Sequence, residues 1–218
     1  MHALFRKLSP AALHRAARRL PSDQRGIAAV EFGYIAPILL LMLMGTFEVS
    51  RAISIDRRIN AVSANASEVI ARMETVDNQD LQKIVEAMEH VMEPYNDGSL
   101  VVRLVGVKAS STSAADTRVE WSYQYANGTA STPLAQCSPF TLESGLVGRN
   151  GSVIVAEVGY TYQPVFGDFI YRGLDFTTVG DTSGDTTGIS RNWTSRAVHA
   201  PRKSCVDYNG TNCVLNCG

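Results

Sequence analysis

Residues 27–47 read IAAVEFGYIAPILLLMLMGTF, and this run constrains the chain more than any other part of it. At about 1.5 Å of rise per residue, a helix of that length covers roughly 30 Å, the thickness of a bilayer core. From Ile38 to Met44 every side chain is aliphatic or a thioether. Charge is distributed unevenly around the run. The chain has 218 residues, with 20 Lys/Arg against 21 Asp/Glu and a net charge of −1. Residues 1–25 hold six of the basic residues and one acid, residues 26–47 hold only Glu31, and residues 48–218 hold fourteen basic and nineteen acidic residues. A positive N-terminal flank predicts that this flank stays in the cytoplasm and that the C-terminal portion lies across the membrane. The overall balance argues against a general nucleic-acid binder, which would be clearly basic.

Three readings of the apolar run compete. A secretory signal peptide has the same basic flank, but no small-x-small site follows; Gly45-Thr46-Phe47-Glu48-Val49 is a poor one. An uncleaved single-pass anchor fits the length. The third reading starts from Glu31, which follows four apolar residues, Ile27 to Val30. An acidic residue at the centre of a membrane helix costs about 2.5–3.5 kcal/mol, and less near the interface. A carboxylate held there calls for a cation. Cleavage after Gly26 would give Ile27 a free ammonium, able to pair with Glu31 of a neighbouring copy or with its own Glu31 four residues on.

The string Arg25-Gly26-Ile27-Ala28-Ala29-Val30-Glu31-Phe32, followed by Pro37, a Leu/Met run, Gly45 and Glu48, resembles the TadE-like pseudopilins of the tight-adherence (Flp) pilus system. The shared pattern is a basic leader, a glycine, four apolar residues, a glutamate, an aromatic residue and an apolar helix. The resemblance implies that a prepilin peptidase cuts on the cytoplasmic side directly after Gly26, leaving Ile27 as the first mature residue. It implies that Glu31 is the assembly glutamate. The aromatic residue is commonly Tyr in the major Flp pilins and is Phe32 here. The implied location is the bacterial inner membrane with the C-terminal domain in the periplasm and possible incorporation into a pilus. The implied partners are the inner membrane, the peptidase and other pilin or pseudopilin subunits. The motif covers about 25 residues; beyond it only the general layout is similar.

The organisation expected along the chain is a basic leader at 1–26, a transmembrane helix at 27–47, an amphipathic continuation at 48–73 and an extracytoplasmic head at 74–218. Ile55, Ile59, Val62, Ala66, Val69 and Met73 recur every three or four residues and predict one helical face. With no Gly or Pro in 46–73, a single helix is expected from about 27 to 73, with Pro37 kinking its membrane half. Residues 78–92 predict a second amphipathic helix, with Leu81, Ile84, Val85, Met88, Val91 and Met92 inward, ended by Pro94 and Asn96-Asp97-Gly98. The period then changes to two. Residues 100–107, 118–125, 154–162 and a stretch near 192–198 read as strands. The expected fold class is therefore α+β: a long N-terminal transmembrane and amphipathic helix leading into a small pilin-like head with a second helix and an antiparallel sheet.

Cys137, Cys205, Cys213 and Cys217 all lie beyond the apolar run. An even count in a translocated domain predicts two disulfides, with three pairings open; a zinc site is the lesser alternative, since only His199 lies near in sequence. No metal or cofactor is expected. Residues 180–188 could offer Asp181 and Asp185 to calcium but read as a flexible loop. The sequence has no Gly-x-Ser-x-Gly elbow, no Walker loop and no HExxH motif. A hydrolytic triad would have to use His90 or His199, so no catalytic residue is assigned. Five Asn-x-Ser/Thr triplets, Asn65 and Asn192 among them, read as surface composition.

Overall fold

A computed structural model describes residues 26–95, 98–166 and 191–210. The chain divides into two units at the Phe47–Glu48 bond. Residues 1–25 of the leader, residues 180–188 with Asp181 and Asp185, Cys213 and Cys217 lie outside the described residues.

Helix α1 runs Ile27–Arg72, within one residue of the expected end. Before Glu48 its apolar side chains are largely exposed, every residue from Ile38 to Leu43 among them. Burying one such side chain is worth about 1.5–3 kcal/mol, so six left in water forgo on the order of 10 kcal/mol. The helix is long and apolar enough to cross a membrane. The Thr46 hydroxyl donates to the Met42 carbonyl at 2.8 Å, and α1 continues through Pro37, whose ring withholds one N–H from the Gly33 carbonyl.

From Glu48 onward α1 is a core element of the second unit. Ile55, Ile59, Val62, Ala66 and Ile70 are buried. Val69, expected on that face, is 41% exposed, and Ile70 takes its place at 0%. The reason is geometric: a 3-4-3-4 spacing averages 3.5 residues per turn, and a straight helix at 3.6 falls about 20° behind it per heptad.

Strand β1 (Thr75–Val76) follows, then α2 (Asn78–Met92). The start of α2 is fixed by a capping box: the Asp77 carboxylate accepts from the Asp80 N–H at 2.8 Å, and the Asp80 carboxylate accepts from the Asp77 N–H at 3.3 Å. Leu81, Val85, Met88 and Met92 are buried, all on the expected face.

The sheet contains β2 (Val101–Ala109), β3 (Thr117–Ala126), β4 (Thr129–Ser131), β5 (Ser152–Tyr162) and β6 (Arg191–His199). Its order is β4-β3-β2-β5-β6, antiparallel throughout. A separate parallel pair joins β1 to β7 (Asp207–Tyr208). The α+β class and the four longer strands agree with the sequence reading. The two- and three-residue strands were not expected, being too short for any alternation to register. β3 and β4 are joined by Asn127 (φ 51) and Gly128 (φ 76), both in the left-handed region that a two-residue hairpin requires. Asn150 and Asn209 also adopt positive φ, so three of the Asn-x-Ser/Thr triplets begin at left-handed turn residues.

Successive strand residues face opposite sides, so the sheet builds two cores. One face carries Val102, Leu104, Tyr123, Ile154 and Ala156 against α1 and α2. The other carries Val105, Val107, Val119, Val153 and Val155, covered by Leu134, Phe140, Leu142 and Val147 of the β4–β5 connection. A register shift at Gly106/Val107 pairs Gly106 with Trp121 and Val107 with Val119, leaving Glu120 as the extra bulge residue. Trp121 lies across Gly106, where an added Cβ would come within 2.3 Å of its Nε1. The indole N–H donates to the Val206 carbonyl at 3.3 Å, and the ring stacks on Tyr208 at 5.4 Å.

Candidate functional site

The sequence-derived site residues sit at the start of α1. Gly26 immediately precedes the helix, with no described atom where a side chain would lie. Ile27 and Glu31, one turn apart, are both exposed, and among the described residues Glu31 makes no hydrogen bond or ion pair. The two are on adjacent turns of one helix face. No cation that could pair with Glu31 stands beside it among the described residues.

A second constellation, which sequence reasoning missed, lies at the first turns of α1 in the head. The Glu48 carboxylate accepts from the Tyr162 hydroxyl at the end of β5 and from the Val165 N–H at 3.2 Å. Its second oxygen is buried with no hydrogen-bond partner. Burial, reinforced by the Glu48 bond and charge, holds the Tyr162 phenol well above its ordinary range. One turn on, the Arg51 guanidinium lies 5.7 Å from the Tyr95 ring centroid and 5.9 Å from that of Tyr162. Arg58 approaches Tyr95 at 5.5 Å and donates to the Val91 carbonyl at 2.5 Å. Trp193 of β6 meets Tyr162 edge-on at 6.4 Å. Only the i, i+3 spacing of Glu48 and Arg51 was visible in the sequence; their aromatic partners come from two distant strands and a turn.

The histidines were the residues on which a hydrolase reading would depend. His90 is exposed and pairs with Glu93 at 3.1 Å on the surface of α2. His199 Nδ1 lies 2.8 Å from the Ser67 hydroxyl, a nucleophile-to-base distance. Yet Ser67 is 0% exposed and is within 2.8 Å of the Ser63 carbonyl, an alternative acceptor for its one proton. No described carboxylate bonds to His199 to orient it. The pair belongs to a polar seam in which Ser63 meets Ser195 at 2.8 Å and Ser195 donates to Asn60 at 2.7 Å. This seam fastens strand β6 to α1.

Glu120, the bulge residue, is 8% exposed, and its pKa is raised by burial, opposed by the Ser152 hydrogen bond and the Lys108 charge. The Ser152 hydroxyl contacts Glu120 Oε2 at 2.8 Å and the Val107 carbonyl at 3.1 Å. A hydroxyl has one proton to give, so both contacts are satisfied together when Glu120 is protonated and donates to Ser152. On the opposite sheet face, with Val153 and Val155, Glu157 bridges Arg103 at 3.1 Å and Arg196 at 2.9 Å.

Cys137 and Cys205 are disulfide-bonded. Among the described residues no cluster of three or more His, Cys, Asp or Glu could hold a metal ion.

Residues 26–67 match the family model described as TadE-like protein, the family that the Arg25–Glu48 string resembles. The match begins at the glycine of the motif and ends inside the part of α1 that the head buries. It links this stretch to Tad/Flp pilus assembly and, with the apolar helix, to membrane anchoring. No curated protein and no solved structure was found to match the chain.

Proposed function

We propose that this chain, with its TadE-like stretch at residues 26–67, is a minor pseudopilin-like structural subunit of a tight-adherence pilus or related secretion apparatus. The observation that carries the reading is the coincidence of three features in one helix. The family match starts at Gly26, the helix starts at Ile27, and its first 21 residues form an apolar, largely exposed surface. Such a surface is stable in lipid or against other helices, and unstable in water.

Residues 1–25 hold the precursor in the inner membrane with the N-terminus inside, and the head lies in the periplasm. A prepilin peptidase cuts between Gly26 and Ile27. As the helix leaves the bilayer and packs with other pilin helices, Glu31 neutralises an Ile27 ammonium during desolvation. The head, built on the helix and joined by disulfides in an oxidising compartment, acts as an adaptor or initiation cap. The role is structural, without catalysis. The buried setting of Ser67 and the exposed setting of His90 support that reading.

N-terminal sequencing of membrane-extracted protein, from cells with and without the peptidase, tests it. An N-terminus at Ile27 that depends on the peptidase supports the pseudopilin. An intact leader in both strains overturns it in favour of an uncleaved membrane-anchored extracytoplasmic binding protein.

A further inference from the structure

Arg51 is a half-buried cation whose donors meet no acceptor among the described residues. Its guanidinium offers five N–H groups, yet among the described residues it makes no hydrogen bond and no ion pair; it lies within 6 Å of the Tyr95 and Tyr162 rings. The nearest acid along the helix, Glu48, is already engaged by the Tyr162 hydroxyl and the Val165 N–H. Arg58 adds a second positive charge at Tyr95. Around these two cations and one acid stand Tyr95, Tyr162 and Trp193, the residue types that concentrate at membrane–water interfaces.

The depth along α1 fits the same conclusion. Arg51 follows Phe47, the last residue of the apolar run, by four residues, about 6 Å of helical rise. A bilayer of about 40–45 Å with a core of about 30 Å leaves roughly 5–7 Å of headgroup on each side. A planar guanidinium at that depth matches the two oxygens of a phosphodiester.

We propose that Arg51, clamped by Tyr95 and Tyr162, is a phospholipid-headgroup site that binds the phosphate of an anionic lipid in the leaflet facing the head. This rests on the reading of residues 27–47 as membrane-spanning. The site holds the subunit at a fixed depth before assembly, because the guanidinium exchanges one lipid phosphate only for another acceptor at the same level.

The test uses the full chain, purified in detergent, delipidated and titrated with phosphatidylglycerol, with bound lipid counted by native mass spectrometry. One interfacial arginine contributes about fivefold in affinity. R51Q is expected to weaken binding by about that factor, R51K to restore most of it, and R57Q, which removes an exposed arginine on the same helix, to leave it unchanged. Near-UV ellipticity verifies that each variant is folded. Equal losses from R51Q and R57Q, or no loss from R51Q, overturn the site. Displacement of the lipid by an equal concentration of inorganic phosphate assigns the pocket to free phosphate and overturns the lipid source. A carbonate wash of native membranes separates the two readings. Wild-type protein that stays in the pellet while R51Q binds lipid normally refutes the site alone, whereas wild-type protein released by the wash refutes the span and the site together.

Discussion

The Tyr162 hydroxyl donates to the Glu48 carboxylate, tying the first residue of the head's portion of α1 to the last residue of β5. The sequence separation is 114 residues, so this one bond fixes the helix against the far end of the sheet. A hydrogen bond to a charged acceptor contributes about 1.5–3 kcal/mol. Tyr162→Phe is expected to destabilise the head by about that amount, because it strands a carboxylate that already has one unpartnered oxygen. Chemical unfolding of the detergent-solubilised chain measures it. Glu48→Gln should also bring Tyr162 ionisation, followed by ultraviolet titration, back toward the ordinary tyrosine range.

Gly106→Ala should be one of the most damaging single-methyl additions in the head. The new Cβ would meet the Trp121 ring at 2.3–2.8 Å, so the indole must move and lose its bond to Val206 and its stack on Tyr208. Overpacking of this kind costs about 1–3 kcal/mol. A lowered melting temperature together with altered tryptophan fluorescence is the expected result; an unchanged melting temperature would show that Trp121 does not occupy this place.

Glu120 gives the head a pH signature. Its folded pKa is raised by burial, so the neutral form's stability is fully present below the unfolded value and is lost as pH rises through the folded value. The wild-type head is therefore expected to lose stability as pH rises above the ordinary carboxylate range. Glu120→Gln removes the titration and can still donate to Ser152, so it should stabilise the head by about 1 kcal/mol at pH 7. That gain should shrink toward pH 4. Melting curves across the range decide the matter, and an advantage independent of pH would exclude the protonated pair.

At the other end of the chain, Glu31→Ala is expected to be processed normally and to assemble poorly. Removing one partner of a desolvated ion pair costs about 3–5 kcal/mol, because the remaining charge is left unpaired. Immunoblots for the processed form, alongside pilus counts by electron microscopy, read both steps. Normal piliation in this variant would remove the charge-pairing role.

Much of the head's plan was readable from period alone. Leu81, Val85, Met88 and Met92 are all buried on α2, and the alternation at residues 154–162 became β5. The errors came where period gives no signal. Val69 and Ile70 exchanged places because a helical stripe drifts over four turns. No strand or helix period marks the β4–β5 connection, yet Leu134, Phe140, Leu142 and Val147 cover the second face of the sheet; isolated apolar residues in a loop carry no periodicity to mark them.

The local code set the length and character of α1, the sequence position where an apolar run gives way to a head, and the place of Gly26, Ile27 and Glu31. Each of these depends only on neighbours within a few turns of helix. Tertiary structure alone decided that Arg51 sits between Tyr95 and Tyr162, that Ser67 meets His199 inside a seam, and that Glu120 is pushed into a bulge beside Ser152. Those contacts join residues far apart in the chain, and strand order and register, which no local pattern encodes, determine which of them meet.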